Sequence, residues 1–293
     1  VNIVKKGLQK TLSVAIACLS LSANVVLAAP DKAWSLVGFD EPESVLVHPT
    51  KPLLFVSNVN GHPAALNGKG YISLLSDEGK VIRHVWVNGM DAPKGLAMDA
   101  QYLYVADMQQ MHIVDHEKGE LVKSIKAEDS VMLNDVVIDD KGVVYLSDIL
   151  GGGLYRYENE TLTKWISSEA LPHPNGLLFN HGQLTVATWG TGLHDDFSTD
   201  VLGGLSVIDR ETKKLTPYKN GEAFGNLDGI AEINGALFIS DWMNGNIFKY
   251  KDQTLELLFN EPKKFTGDLS SKGNLLFVPL MFSQRIDAYQ IEP

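Results

Sequence analysis

Cysteine is almost absent. The only one, Cys18, lies in an N-terminal apolar stretch, so residues 29–293 carry no thiol. That removes cysteine nucleophiles and disulfide frameworks from this part of the chain. Positive charge is also scarce: 25 Lys and Arg stand against 36 Asp and Glu, for a formal net charge of −11. Nucleic acid and anionic membrane surfaces are poor partners for such a chain. Several catalytic signatures are missing. There is no Gly-x-Ser-x-Gly elbow, no phosphate-binding glycine loop ending in Lys-Ser or Lys-Thr, and no His-Glu-x-x-His. The commonest serine-hydrolase, nucleotide and zinc-protease readings go with them. No long segment repeats with a helical period.

The N-terminus reads as a leader. Lys5, Lys6 and Lys10 precede an apolar or small-residue run from Thr11 to Ala28, and Val26-Leu27-Ala28 offers small residues where a signal peptidase cuts. The expected division is a signal peptide over residues 1–28 and one domain over 29–293. A bacterial protein of the periplasm or one that is secreted is implied, free of the membrane after cleavage and acting as a monomer. Removing the leader takes away three lysines and no acid, which moves the charge from −11 to −14.

Short runs rich in Val, Ile, Leu, Tyr and Phe recur between Gly, Asp and Asn turns. This is the pattern of strand after strand. One run returns six times: Leu53-Leu54-Phe55-Val56-Ser57, Leu103-Tyr104-Val105-Ala106-Asp107, Val144-Tyr145-Leu146-Ser147-Asp148, Leu184-Thr185-Val186-Ala187-Thr188-Trp189, Leu237-Phe238-Ile239-Ser240-Asp241-Trp242 and Leu275-Leu276-Phe277-Val278-Pro279. The runs that precede these start near Ser44, Gly95, Asp135, Gly176, Gly229 and Gly267, at intervals of 51, 40, 41, 53 and 38 residues. A period near 40 with four strands per unit predicts an all-β, six-bladed β-propeller. The sixth unit is one strand short, and Ala33-Trp34-Ser35-Leu36-Val37 is expected to complete it beside Arg285–Ile291. The two long intervals place extra residues at 58–69 and 190–203, on the face where the first strands begin. Long loops on such a face read as substrate walls or a lid.

The residue just before each first strand reads, in order, Glu43, Lys94, Asn134, Asn175, Asp228 and Thr266. None is apolar, and equivalent positions of a propeller converge on its axis. Two carboxylates and two amide oxygens, Glu43, Asn134, Asn175 and Asp228, form a set of hard oxygen ligands for one divalent cation. Ca2+ is the first expectation, with Mg2+, Mn2+ and Zn2+ left open. The lack of His and Cys in the set weighs against a high-affinity zinc site. Such an ion polarises a carbonyl or phosphoryl oxygen and acidifies bound water, the chemistry of lactone, ester or phosphotriester hydrolysis.

These units, with Asn134-Asp135, Asn175-Gly176-Leu177 and Asn226-Leu227-Asp228-Gly229-Ile230, resemble the senescence marker protein/gluconolactonase family of six-bladed propellers, whose relatives include regucalcin and the calcium-dependent paraoxonases. The resemblance spans nearly all of residues 29–293. It implies one divalent ion in the central tunnel, held by Glu43, Asn134, Asn175 and Asp228, and a lactonase-like activity on a small molecule. Lys94 departs from the pattern. Its ammonium either replaces the metal by neutralising Glu43 or Asp228, binds a substrate carboxylate, or stabilises an oxyanion. Asp228 and Asp135 are the candidate general bases. His62 and His194 in the long loops, and Trp189 and Trp242 at strand ends, are candidate substrate walls. Asp107, Asp148 and Asp241 read first as turn caps. The alternative to a hydrolase is a non-catalytic propeller that binds a small molecule or a protein on the same face.

Overall fold

The computed structural model describes residues 29–261 and 265–292. The expected leader lies outside the described residues. Six four-stranded antiparallel sheets follow one another along the chain. The first runs from Pro42 to Met90, the second from Pro93 to Lys126 and the third from Leu133 to Ile166. The fourth spans Pro174 to Pro217 and the fifth Leu227 to Asn260. The sixth contains Ser270–Lys272, Leu275–Leu280 and Arg285–Gln290, and its outermost strand is Lys32–Val37 from the start of the described chain. This is a six-bladed β-propeller.

The core sits between blades. Six hydrophobic clusters each join two neighbouring blades, and a seventh lies on the axis. In the third blade Val144 and Leu146 pack toward the second blade, whereas Val143 and Tyr145 pack toward the fourth. Both faces of the strand are therefore buried, which explains a continuous apolar run in place of alternation. Each buried aliphatic or aromatic side chain contributes about 1.5–3 kcal/mol.

The closing strand pairs with the last one through Trp34 opposite Ala288 and Val37 opposite Arg285. Asp287, fully buried, fixes the junction. It takes Lys32 Nζ at 2.8 Å, Arg285 Nη2 at 2.9 Å and the Ser35 hydroxyl at 2.6 Å.

Two features differ from the sequence expectation. The insertion at 190–203 is not a plain loop: Gly190–Leu193 and Thr199–Leu202 form an extra hairpin. The first strand of the sixth blade begins only at Ser270. Ahead of it, Thr266 bridges Leu280 and Gly267 N donates to the Pro279 carbonyl at 3.1 Å within the blade, while Asp268 N donates to the Glu43 carbonyl of the first blade at 2.8 Å.

Candidate metal centre on the propeller axis

The inner strand of each of the first five blades is bulged at one place. Register shifts fall between Pro42 and Val45, Pro93 and Leu96, Leu133 and Val136, Pro174 and Leu177, and Leu227 and Ile230. Glu43, Lys94, Asn134, Asn175 and Asp228 each sit inside one of these bulges. A bulge re-aims a side chain and frees a backbone N–H from the ladder. In three blades a serine on the second strand takes that N–H: Ser57 from Ser44, Ser147 from Asp135 and Ser240 from Gly229, at 2.8–2.9 Å. Glycine follows where blades meet most tightly. A Cβ on Gly176 would lie 1.8 Å from the Asp228 carbonyl oxygen, and one on Gly267 would lie 2.2 Å from that of Glu43. The aspartates that end second strands cap the segment leading into their own inner strand. Asp107 accepts the Asp91 and Ala92 amides at 2.7 Å, and Asp148 accepts that of Met132 at 2.9 Å.

All six axial residues are buried. Glu43, Lys94, Asn134 and Asp228 line one small cavity of about 30 Å³, room for about one water-sized body. The Asn175 amide nitrogen donates to Asp228 Oδ1 at 3.0 Å and to the Leu227 carbonyl at 3.1 Å. Three ring oxygens, Glu43 Oε2, Asn134 Oδ1 and Asn175 Oδ1, are buried with no protein partner. Orphaned buried acceptors are costly unless an ion or water completes them. The hard, oxygen-only character of the set fits a divalent cation. Thr266 turns its hydroxyl to the Asp241 carbonyl at 3.1 Å and so adds no free donor atom.

Electrostatics points the same way. Burial, reinforced by the charges of Asp228 and Asp268, raises Glu43 well above the ordinary carboxylate range. Burial and Asp268 do the same to Asp228. Carboxylates gathered in low dielectric cannot all stay ionised without a cation. Lys94 supplies one positive charge, but it makes no ion pair within 4 Å of Glu43 or Asp228 among the described residues. Its ammonium bonds the Ala92 carbonyl at 2.8 Å and approaches Met108 Sδ at 3.6 Å. One of its three N–H groups is left unspent. Burial lowers its basicity, against the opposing pull of Glu43.

Asp135 and the unanticipated Asp268 belong to the other end of the axis. They line a cavity of about 340 Å³ walled by inner-strand side chains such as Val45, Leu96 and Ile230. Asp135 Oδ2 accepts the Leu177 amide, and Asp268 Oδ2 accepts the Ser44 hydroxyl at 2.7 Å. Burial pushes Asp268 up to about 7. Thr266 bridges Leu280 as Pro42 bridges Asn58, so Gly267 rather than Thr266 holds the sixth ring place, and Asp268, the counterpart of Asp135, lies one residue past it.

On the upper face the two insertions close over the small cavity, contributing Pro63 and Phe197, with Trp189 and Trp242 in its wall. His62 and His194 do not reach it. His62 is exposed and accepts the Ala64 amide, and His194 is exposed and bonds Asp200 at 3.0 Å. On the opposite face His48, His116 and Glu117 bring ligand atoms within 4.8 Å of one another. There, His48 Nδ1 accepts the Thr50 and Lys51 amides at 3.2 and 3.1 Å, so the neutral ring keeps its proton on Nε2. Glu117 is paired with Lys51. His48 Nε2 and both ring nitrogens of His116 are buried without a hydrogen-bond partner.

No protein-family model matches the chain, and no curated protein does. Solved structures match by fold. A candidate gluconolactonase aligns with a TM-score of 0.62 at 16% identity, covering 90% of this chain and 94% of that one. Virginiamycin B lyase from Staphylococcus aureus, in a catalytically inactive form with quinupristin, aligns at 0.59 and 11% identity, covering 88% and 99%. A propeller domain from Myceliophteria thermophila aligns at 0.59 and 10% identity, covering 88% and 100%. At such identities the likeness is one of architecture, and propellers of this kind host unrelated functions.

Proposed function

We propose that the chain is a metal-dependent hydrolase of a small lactone or ester, with one divalent cation, Ca2+ by preference, held by Glu43, Asn134, Asn175 and Asp228. The observation that carries this reading is the trio of partnerless buried oxygens, Glu43 Oε2, Asn134 Oδ1 and Asn175 Oδ1; Glu43 and Asn134 line the small cavity, and Asn175 is bonded to Asp228, which lines it too. The fold similarity to a candidate gluconolactonase is in keeping with it. The apolar leader and the acidic composition fit a secreted or periplasmic protein whose partner is a small molecule.

A cation bound there supplies Lewis acidity, polarising a carbonyl oxygen and lowering the pKa of water. The chain's own residues supply the rest. Lys94 lies at the same cavity with an N–H to spare, placed to donate to the oxygen that gains charge as the carbonyl carbon becomes tetrahedral. Asp228 Oδ1 is held by Asn175, which fixes the carboxylate plane and leaves Oδ2 to take a proton from attacking water. Met132, Ile149 and the two tryptophans wall off bulk solvent, and this strengthens every charge interaction inside.

Elemental analysis of purified protein with and without chelator tests the metal. A stoichiometric divalent ion, lost in Asp228→Ala, is expected. A panel of lactones, aryl esters and phosphotriesters at controlled Ca2+ tests the chemistry. Metal-free protein, or turnover that ignores chelation, would sink the reading and leave a binding propeller.

A further inference from the structure

Above the ring of axial polar groups lies a second ring that the repeat builds equally regularly. The residue that follows each second strand is Val59, Met108, Ile149, Trp189, Trp242 or Met281, one from every blade. All six are buried, and together they form the axial hydrophobic cluster. None carries a hydroxyl, an amide or a charge. The Trp189 indole N–H is spent on the Phe197 carbonyl at 2.8 Å. Ile149, Trp189, Trp242 and Met281 face the cavity whose floor holds Glu43, Asn134, Asp228 and Lys94. Phe197 and Pro63 roof it, and Phe265 and Phe282 extend the aromatic surface from Trp242 outward.

A ligand in this space meets oxygen atoms and one ammonium at its inner end and, the Trp242 indole N–H apart, hydrocarbon elsewhere. A hydroxyl placed against the collar loses its hydration and finds no partner, which costs roughly tenfold or more in binding per group. Each methylene placed there gains about fourfold.

We infer that the site takes a lactone or ester with an apolar, hydroxyl-free body, and that the collar side chains, Trp189, Trp242 and Met281 foremost, set this preference. The inference rests on the hydrolase reading above and narrows it: a polyhydroxylated sugar lactone is excluded by the wall. A body larger than the cavity requires the roofing loops at Pro63 and Phe197 to part on binding.

The test uses full-length protein supplied with Ca2+. Turnover of γ-lactones whose alkyl chain lengthens by one methylene at a time is compared with turnover of gluconolactone. The expected result is a kcat/KM that climbs about fourfold per methylene over the first few members, with gluconolactone roughly a hundredfold or more below the best alkyl lactone. Gluconolactone turned over as well as the alkyl series overturns the inference and leaves the hydrolase reading standing. Met281→Gln keeps the side-chain length and adds an amide. Its melting temperature should fall by several degrees, the cost of a buried amide with no partner, while metal content stays near wild type and the chain-length dependence flattens; an unchanged dependence overturns the role of the collar. If no lactone or ester reacts, the hydrolase reading alone has failed. The collar is then read from tryptophan emission, compared with Trp242→Phe. A saturable change with long-chain lactones and none with gluconolactone supports the apolar class, and the reverse overturns it.

Discussion

Asn175 gives its amide nitrogen to Asp228 Oδ1 at 3.0 Å and leaves its own carbonyl oxygen buried with no protein partner. The bond orients both side chains at once. It fixes which face of Asn175 is acceptor and which oxygen of Asp228 stays open. An Asn175→Leu variant removes the bond and the orphan together. Metal content should fall below about one tenth of wild type at micromolar Ca2+, as measured by elemental analysis. The metal-free protein should also lose stability, because two buried acceptors, Asp228 Oδ1 and the Leu227 carbonyl, lose their donor while only one orphan leaves with Asn175. A variant that keeps its ion would remove Asn175 from the ligand set.

Stability in chelator should depend on pH in an unusual direction. Asp268 titrates near 7 in the folded protein because of burial, against about 3.9 in an unfolded chain. Between those values the folded state binds more protons than the unfolded one, so stability falls as pH rises. Glu43 and Asp228 are shifted the same way. Thermal melts in EDTA should therefore show a lower Tm at pH 8 than at pH 5.5, by several degrees. Added Ca2+ should restore the loss at pH 8 and do little at pH 5.5, since it competes with protons. A flat profile in EDTA would show that these carboxylates are already neutralised without an ion.

Lys94→Met separates two roles of the ammonium. It lies in the cavity but bonds Ala92 and not a carboxylate, so its charge opposes the cation more than it replaces it. Calcium affinity should rise in the variant, by about tenfold, while kcat falls by about 10²-fold or more with the loss of an oxyanion donor. Calorimetry and steady-state rates read the two effects independently. A fall in calcium affinity would mean that Lys94 supports the ligand set.

Gly176→Ala should be poorly tolerated. The added methyl meets the Asp228 carbonyl at 1.8 Å, and neither backbone can yield without opening the fourth and fifth blades. A loss of about 3 kcal/mol or failure to fold is expected, with reduced metal content in whatever folds. Gly182→Ala is the control: nothing lies within 4 Å of its Cβ position, although φ is +77° there. It should cost about 1 kcal/mol and leave the metal in place.

Asp287→Ala strikes the junction between first and last strands. The substitution removes one of two carboxylates that Lys32 and Arg285 share and leaves them Glu261. Urea unfolding should report about 1–2 kcal/mol of destabilisation, since both cations keep a partner. Limited proteolysis should release residues near Lys32 first.

The fold was legible because each blade repeats one apolar run with little variation, from Leu53 to Ser57 through to Leu275 to Pro279. The axial ring was legible because it occupies a fixed offset from those runs. Asp268 was not, since it falls one residue past the ring position, where the other blades place Ser44, Gly95, Asp135, Gly176 and Gly229 and no residue type repeats. The hairpin at Gly190–Leu193 and Thr199–Leu202 was hidden by short strands interrupted by polar residues and glycine. Phe197 and Pro63 entered the cavity wall by loop folding alone, while the two loop histidines, chemically more eye-catching, face solvent. The apolar collar was written in the sequence at one regular offset. Its two tryptophans, Trp189 and Trp242, were expected as substrate walls, but the other four were not legible because Val, Met and Ile share hydrophobicity and not identity.

The strand that seals the ring has a consequence for biosynthesis. Lys32–Val37 is the earliest described strand to leave the ribosome, and its partner Arg285–Gln290 is the latest. Throughout synthesis the first blade has no neighbour on one side, and its inner-strand carboxylate, Glu43, has no opposite wall. A chain cut short before Arg285 would keep five complete blades and every axial acid, but Lys32–Val37 would have no strand to pair with. The ring would stay open between the first and last blades, so the wall around Glu43 is completed only when that pair forms.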